Sequence, residues 1–363
     1  MRIAQVSPLF ESVPPALYGG SERVVSWLTE ELVELGHEVT LFASGDSQTK
    51  AHLVPVCEKA LWRDKDCRET LPHHVRMMEL VFQDTSRFDI IHFHSDYIHF
   101  PLVRRYGCAS VTTLHGFVHD HDLCELLEEY RDVPLVAISH SQQEPVPDAG
   151  WQGTVYHGLP ETLHTLHAQP GEYFAFLGRT SPDKGLERAI EIARRTGVPL
   201  KIAAKIYDED RNYFEQVIQP LLQKSASFVE FVGEIGGAAK EEFLGGAKAL
   251  LFPVSWPEPF GLVMIEALAC GTPVIAWRRG SVPEVIQDGV TGFVVDSVEE
   301  AVGCLPRLAN IRRESCRKMF EARFRAKRMA TDYLRIYEQV IRDRSQERPA
   351  AEQRVNDYFA CSA

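Results

Sequence analysis

The chain has 363 residues, 45% of them hydrophobic, enough to bury a large core and more comfortable as two domains than as one. Its 39 basic and 51 acidic residues leave a net charge of -12, which argues against a nucleic-acid binder, because that role needs a basic stripe to meet phosphates. Eight cysteines without C-x-x-C or metal-like spacing, and no window approaching ~18 apolar residues, point to a reduced cytoplasmic setting without a membrane span.

The opening RIAQVSPLF reads as a buried strand, followed by a loop ending in Gly19-Gly20 and an amphipathic helix, SERVVSWLTEELVELGH. Strand, glycine loop and helix open a doubly wound α/β domain. The alternation continues through EVTLFAS, a helix over 71–82, DIIHFHS, SVTTLHG, a helix over 123–130 and PLVAISH. These strands are apolar on both faces, as in a parallel sheet covered on both sides. Between 151 and 170 the periodicity fades, and YFAFLG restarts it. The second series runs through a helix over 186–195, LKIAAKI, a helix over 213–223, FVEFVG, a helix over 240–244, ALLFPV, a helix over 262–269, TPVIAW, a helix over 282–287 and GFVVD. The expected architecture is therefore α/β with two doubly wound, Rossmann-like domains. The first covers 1–168, the second covers 169–325, a terminal helix over 326–345 packs back on the first, and 346–363 form a polar, partly disordered tail.

The most informative stretch is PVSWPEPFGLVMIEALACGTPVIAWRRGSVPEVI. A strand ends at Pro253, a loop carries Glu258, a helix starts near Gly261 and Glu266 lies on it, so two carboxylates flank one helix N-terminus. The free N–H groups and positive dipole end there suit a diphosphate, and glycine lets an anion approach the backbone. In FLGRTSPDKGLERAIEIA, Arg179 and Lys184 share the loop after the first strand of the second domain, at the strand ends where open α/β sheets bind ligands.

Glu258 and Glu266, with seven residues between them in EPFGLVMIE, resemble the paired glutamates of retaining GT-B glycosyltransferases of family 4, and EALACGTPVIA and GSVPEVIQDGVTGFVV are similar to that family too. The resemblance covers most of residues 1–340, with its specific motifs in 171–296. It implies two lobes facing a cleft and a sugar moved from a nucleotide diphosphate to an acceptor, with closure of the lobes excluding water. Glu258 would contact the donor sugar hydroxyls and Glu266 the ribose hydroxyls, a sensible use of carboxylate oxygens as acceptors. Arg179 and Lys184 would clamp the β-phosphate and stabilise the leaving nucleotide. Phe260, Gly261 and Leu262, around the helix start, complete that side of the donor site. Gly233 and Ile235 would hold the base through backbone groups, and Gly19 and Gly20 would lie near the donor phosphate. By the same resemblance His115, ending a strand in TTLHGF, lies close to the donor sugar. His94 and Ser139 are expected on the acceptor side, although Ser139 is equally suited to cap the next helix.

The catalytic set implied is thus Glu258, His115, Arg179 and Lys184, with retention of configuration and a front-face mechanism in which the departing phosphate oxygen helps deprotonate the acceptor. No metal and no cofactor are expected, the nucleotide sugar being a substrate. His92, His94, Asp96, His119 and His121 cluster in sequence, but their spacing does not suit a metal site, and Asp208-Glu209-Asp210 reads as a solvated, helix-capping acidic loop. Two departures from the family stand out: AAKIY lacks the usual glycines, leaving Lys205 unexplained, and His157-Gly158 stands where Asn-Gly is frequent. Among rivals, a nicotinamide-dependent oxidoreductase lacks a G-x-G-x-x-G after a strand. A non-enzymatic two-lobed sugar-binding protein would normally be exported, and a glycogen-phosphorylase-like enzyme would be longer and carry a lysine-bound cofactor. The default donor, on family frequency, is UDP-glucose. The default acceptor is a saccharide or lipid-linked saccharide of polysaccharide biosynthesis, with peripheral association at the inner membrane face left open.

Overall fold

Parallel strands with helical crossovers build two separate sheets. The computed structural model describes residues 1–17 and 19–360, with side chains through 346. In the first sheet the strands are β1 (Arg2–Val6), β2 (Glu38–Ser44), β3 (His52–Cys57), β4 (Ile90–Phe93), β5 (Ser110–Thr113), β6 (Leu135–Ala137) and β7 (Trp151–Thr154). Their spatial order is β3-β2-β1-β4-β5-β6-β7, every neighbouring pair parallel. The second sheet holds β8 (Tyr173–Arg179), β9 (Leu200–Lys205), β10 (Val229–Gly233), β11 (Ala247–Phe252), β12 (Val274–Trp277) and β13 (Gly292–Val295) in the order β10-β9-β8-β11-β12-β13. Each is a doubly wound, Rossmann-like sheet whose strand order reverses at its centre, between β1 and β4 and between β8 and β11.

The inner strands β4, β5 and β12, and the edge strand β13, are buried at every residue, the burial that lets near-continuous apolar runs such as IIHF and GFVV be recognised in sequence. The helices Leu71–Phe82 and Leu262–Ala269 occupy the spans their apolar spacing predicts. In the first unit Met77, Met78, Val81 and Phe82 close over Phe42, Val56, Ile91 and Phe93, each such side chain adding roughly 1.5–3 kcal/mol.

Two strands and one helix escape the sequence reading. The edge strand β3 is half-exposed and contains Pro55, and β7 is a four-residue, half-exposed WQGT, so neither shows an apolar run. The short helix Phe100–Tyr106 opens with proline and stops at Gly107 in a left-handed conformation. The helix expected over 213–223 is divided: a wide π turn, Phe214–Ile218, separates Arg211–Tyr213 from Gln219–Lys224. Pro220, without an N–H, removes one α-helical bond, and a wide turn accommodates that loss.

Contacts group residues 1–138, 143–155 and 327–363 into one unit, and 139–142 and 156–326 into the other. The segment 156–168 therefore belongs with the second sheet, although its fading periodicity suggests a place in the first domain. Backbone bonds explain this: Leu159 N–H donates to Phe324 O at 2.8 Å, Ala326 N–H to Leu159 O at 2.7 Å and His167 N–H to Cys270 O at 3.0 Å. Arg313 and Arg317, on the helix Arg313–Arg323, donate to the carbonyls of His167 and His164. The final helix spans Ala326–Ala360, running past the expected end at 345, and places Met329, Ala330, Tyr333, Ile336, Tyr337 and Val340 in the first unit's core. The expected polar tail begins inside this helix, and its last residues, 361–363, lie outside the described residues. The seven described cysteines are free, and among the described residues no helix is long and apolar enough to cross a membrane.

Candidate active site

Lys184 and Glu258 meet where the second sheet reverses its strand order. The loop after β8 carries Lys184 in a tight turn, Pro182–Lys184, and the loop after β11 carries Glu258. The loops are stitched together: Ser255 N–H donates to Asp183 O at 2.8 Å and Arg188 Nη1 to Pro253 O at 2.9 Å. A side chain at Gly185, which has φ 72°, would come within 2.1 Å of Pro253 O, so only glycine permits this approach. Lys184 Nζ lies 2.7 Å from Glu258 Oε2 and 4.6 Å from the centre of the Trp256 ring, while Trp256 Nε1 donates to the same Oε2 at 2.9 Å. Both charged side chains are largely enclosed, 16% and 11% exposed, so the ion pair is only weakly screened. Oε2 takes both donors, and the acceptor capacity of Oε1 is not used by either of them.

Behind this loop, Ser281 N–H donates to Glu258 O at 2.9 Å and Ser281 Oγ to Phe260 O at 2.9 Å. Gly280 is pressed so closely that an added Cβ would lie 2.3 Å from Glu258 O. Gly261 has φ 77° and precedes the Leu262–Ala269 helix; Met264 N–H donates back to Gly261 O at 3.0 Å, and the N–H groups of Leu262 and Val263 ahead of it have no intrahelical acceptor. The side chain of Phe260 turns inward, buried against His157 at 4.8 Å between ring centres and near Phe324. The expected donor contact of Phe260 is therefore confined to its backbone. The same packing accounts for His157, and Gly158 beside it leaves no room for a Cβ against the Arg325 backbone.

Glu266 lies on the Leu262–Ala269 helix, 4% exposed, and pairs with Lys240 from the helix Gly237–Gly245. Nothing in the spacing of GAAKEEF marks Lys240 as its partner. Arg179, the last residue of β8, is paired with Lys205 in the sheet register and engages Glu209 and Asp210, Nη2 reaching Asp210 Oδ2 at 3.0 Å. The acidic run is solvated at Asp208 and Glu209, as expected, but not at Asp210, which is buried and whose side chain makes no cap hydrogen bond. Because β9 neighbours β8, the loop after β9 folds over the end of Arg179. Lys205 places Nζ 4.5 Å from the Tyr207 ring, which also lies 4.7 Å from the Arg179 guanidinium, giving this unusual lysine a local role. Gly233 ends β10 at φ 78°, and Ile235 is half-buried just beyond it.

The remaining candidates lie apart from these in the chain. Gly19, at φ 143°, and Gly20 open the helix Gly20–Glu34, and a Cβ at Gly19 would press on Pro15 at 2.8 Å. Two residues on, Glu22 is buried, and its carboxyl is pushed up to about 7, chiefly by that burial. His115 is half-buried at the end of β5, and its imidazole is pushed down to about 4 by burial. His94 is buried, with Nδ1 2.9 Å from His115 Nε2 and Nε2 2.8 Å from Gln5 Oε1. Both its ring nitrogens are engaged inside the protein, which corrects the expectation that it faces an acceptor. Ser139 is fully buried and accepts from Gln142 N–H at 3.2 Å, so it serves as a cap and not as an acceptor contact. His121, Asp122 and Glu125 bring ligand atoms within 4.8 Å of one another, all three exposed at one helix start where water competes for any ion.

Two Rossmann-like units, with clustered cations and carboxylates at the reversal point of the second sheet, define a GT-B architecture. The family model described as Glycosyl transferases group 1 matches residues 164–321, and that described as Glycosyltransferase Family 4 matches residues 18–175. The N-acetyl-alpha-D-glucosaminyl L-malate synthase of Bacillus anthracis is 35% identical over 90% of this chain and 95% of its own. A sucrose-phosphate synthase from Thermosynechococcus elongatus shares the fold with a TM-score of 0.77 at 20% identity, over 94% of this chain and 99% of that one. HepE from Anabaena, solved with UDP and glucose, has a TM-score of 0.73 at 17% identity, over 93% and 100% of the two chains. The protein belongs to the group 1 glycosyltransferases and is a GT-B glycosyltransferase.

Proposed function

We propose that the protein transfers a hexose, with retention, from a nucleoside diphosphate sugar, UDP-glucose by default, to a saccharide or lipid-linked saccharide, without a metal. The observation that carries the reading is the Lys184–Glu258–Trp256 group beside the Leu262–Ala269 helix start, at the reversal between β8 and β11. A diphosphate there would meet backbone N–H groups, a helix dipole and the ammonium of Lys184, with Arg179 joining once it exchanges its carboxylate partners for phosphate oxygens. These charges would stabilise the leaving nucleotide as the C1–O bond breaks, the work a metal performs elsewhere. Glu258, with Oε2 held by an ammonium and an indole N–H, suits hydroxyl recognition better than nucleophilic attack. The acceptor oxygen would then bond to C1 on the face the diphosphate leaves, giving its proton to the departing phosphate oxygen. The solved HepE complexes with UDP and UDP-glucose support uracil as the first base to test. A second reading, an N-acetylhexosaminyl donor with a small acid acceptor, is favoured by the malate synthase likeness.

Calorimetric titration of UDP, GDP and ADP in EDTA, with Glu266→Ala and Arg179→Ala beside the unaltered protein, tests the donor site. One preferred diphosphate, weakened by both substitutions, is the expected result. Binding of NAD in place of every diphosphate, or indifference to both substitutions, overturns it.

A further inference from the structure

The donor-site reading gives Lys184 and Glu258 tasks and leaves Trp256 without one, although it touches both. Its Nε1–H donates to Glu258 Oε2 at 2.9 Å, and its ring centre lies 4.6 Å from Lys184 Nζ. The indole thus offers a donor edge to the carboxylate and a π face to the ammonium, the two ends of one ion pair.

The two partners of Oε2 differ in how they are attached. Lys184 reaches it at 2.7 Å from the Pro182–Lys184 turn after β8, on a long side chain of another loop. Trp256 reaches it from two residues away on the same loop, and Pro257 between them has a fixed φ and restricts the residue before it. Both ends of this Trp-Pro-Glu bracket are pinned: Ser255 N–H donates to Asp183 O at 2.8 Å, and Glu258 O accepts from Ser281 N–H at 2.9 Å. When the lysine swings toward a diphosphate its bond to Oε2 lengthens, whereas indole and carboxylate keep their places in one short loop. The Glu258 side chain, 11% exposed, then retains a donor that does not leave with the cation. Without that donor the departing lysine would strand a nearly enclosed carboxylate. An indole nitrogen only donates, so it does not compete with Glu258 for the proton of a sugar hydroxyl.

We propose that Trp256 is a positioning residue that keeps the Glu258 carboxylate in place while Lys184 exchanges it for a diphosphate, so that recognition of the donor's sugar is separate from recognition of its phosphates. The sugar half rests on the donor-site reading above; the hold of the indole on Glu258 does not. The hold is tested on the full chain labelled with 15N-tryptophan, in which Trp256→Phe identifies the Trp256 indole N–H by the peak it removes. Lys184→Met imitates the departed lysine at similar side-chain length. The indole proton should keep its downfield shift and slow exchange with water in Lys184→Met, and lose both in Glu258→Met. Calorimetry then compares UDP, GDP and ADP, and the glucose and N-acetylglucosamine conjugates of the preferred one, on the unaltered protein and on Trp256→Phe, which keeps a ring face for Lys184 and deletes the donor. Affinity for the diphosphate should stay within about twofold and that for the favoured conjugate should fall about tenfold, the effect of one hydrogen bond to a charged group. A role in packing alone would weaken both together. An indole peak that moves in Lys184→Met to where Glu258→Met puts it means that the carboxylate leaves with the lysine, and overturns the proposal. Equal losses for diphosphate and conjugate, or none for either, overturn the sugar role. Binding of no nucleotide to the unaltered protein overturns the donor-site reading, and the spectra still decide the hold on Glu258.

Discussion

Replacing Lys240 with methionine strands a carboxylate that the fold has almost enclosed. In the Lys240–Glu266 pair the side chains are 15% and 5% exposed, so little water is available to solvate whichever charge remains. Breaking such a pair from one side costs about 3–5 kcal/mol, whereas replacing both members with apolar residues of similar volume is close to neutral. Lys240→Met alone should therefore destabilise the second unit by several kcal/mol, and Lys240→Met with Glu266→Leu should recover most of that. Amide hydrogen exchange in the helices Gly237–Gly245 and Leu262–Ala269 reads this cycle locally. Nucleotide affinity reads the other role of the same carboxylate: two charge-assisted bonds to ribose hydroxyls at about 1.5–3 kcal/mol each make Glu266→Ala at least about a hundredfold weaker for the preferred diphosphate. Strictly additive stabilities would refute the coupling, and an affinity within about threefold of the unaltered protein would refute the ribose contact.

Gly280→Ala would drive a Cβ to 2.3 Å from Glu258 O at a residue with φ 54°, so a displaced loop and an activity loss of about a hundredfold, larger than any fall in melting temperature suggests, should follow in a transfer assay. Asp210→Asn releases Arg179 from a carboxylate it must leave to reach phosphate, so nucleotide affinity should rise by roughly threefold to tenfold at low salt, and the gain should vanish when Arg179→Ala is added. Glu22 has its folded carboxyl raised from 4.5 to about 7, by burial and then by the nearby Glu11 carboxylate, against backbone N–H groups that lower it. The folded state therefore holds the proton more tightly, and this stabilisation is complete below pH 4.5 and lost as pH rises through about 7, at most on the order of 3 kcal/mol. Urea midpoints measured across that window should fall more steeply for the unaltered protein than for Glu22→Gln.

Much of the architecture was legible because the relevant physics is local or periodic. Buried strands such as IIHF and GFVV advertise themselves as apolar runs, and the helix Leu262–Ala269 follows a left-handed glycine that its sequence context makes conspicuous. Edge strands β3 and β7 do not, because half-exposed residues can be polar and short. The candidate donor residues were legible as types on loops at strand ends; their partners were not. Lys240 joins Glu266 across two helices, Trp256 shares the Glu258 carboxylate with Lys184, and Asp210 reaches Arg179 only because β9 lies beside β8. His94 and Ser139 looked available at strand ends, yet packing turned both inward.

Strand and helix preferences, glycine positions and the E-x7-E spacing are encoded within a few neighbouring residues, so the chain by itself determined two doubly wound sheets and the loops that carry the chemistry. Which carboxylate meets which cation, and which side chains surround a buried histidine, depend on groups tens to hundreds of positions apart, as the bond between His92 and Tyr337 illustrates. Only the tertiary structure decided those, because hydrogen bonds and ion pairs act over a few ångströms of space and are indifferent to distance along the chain.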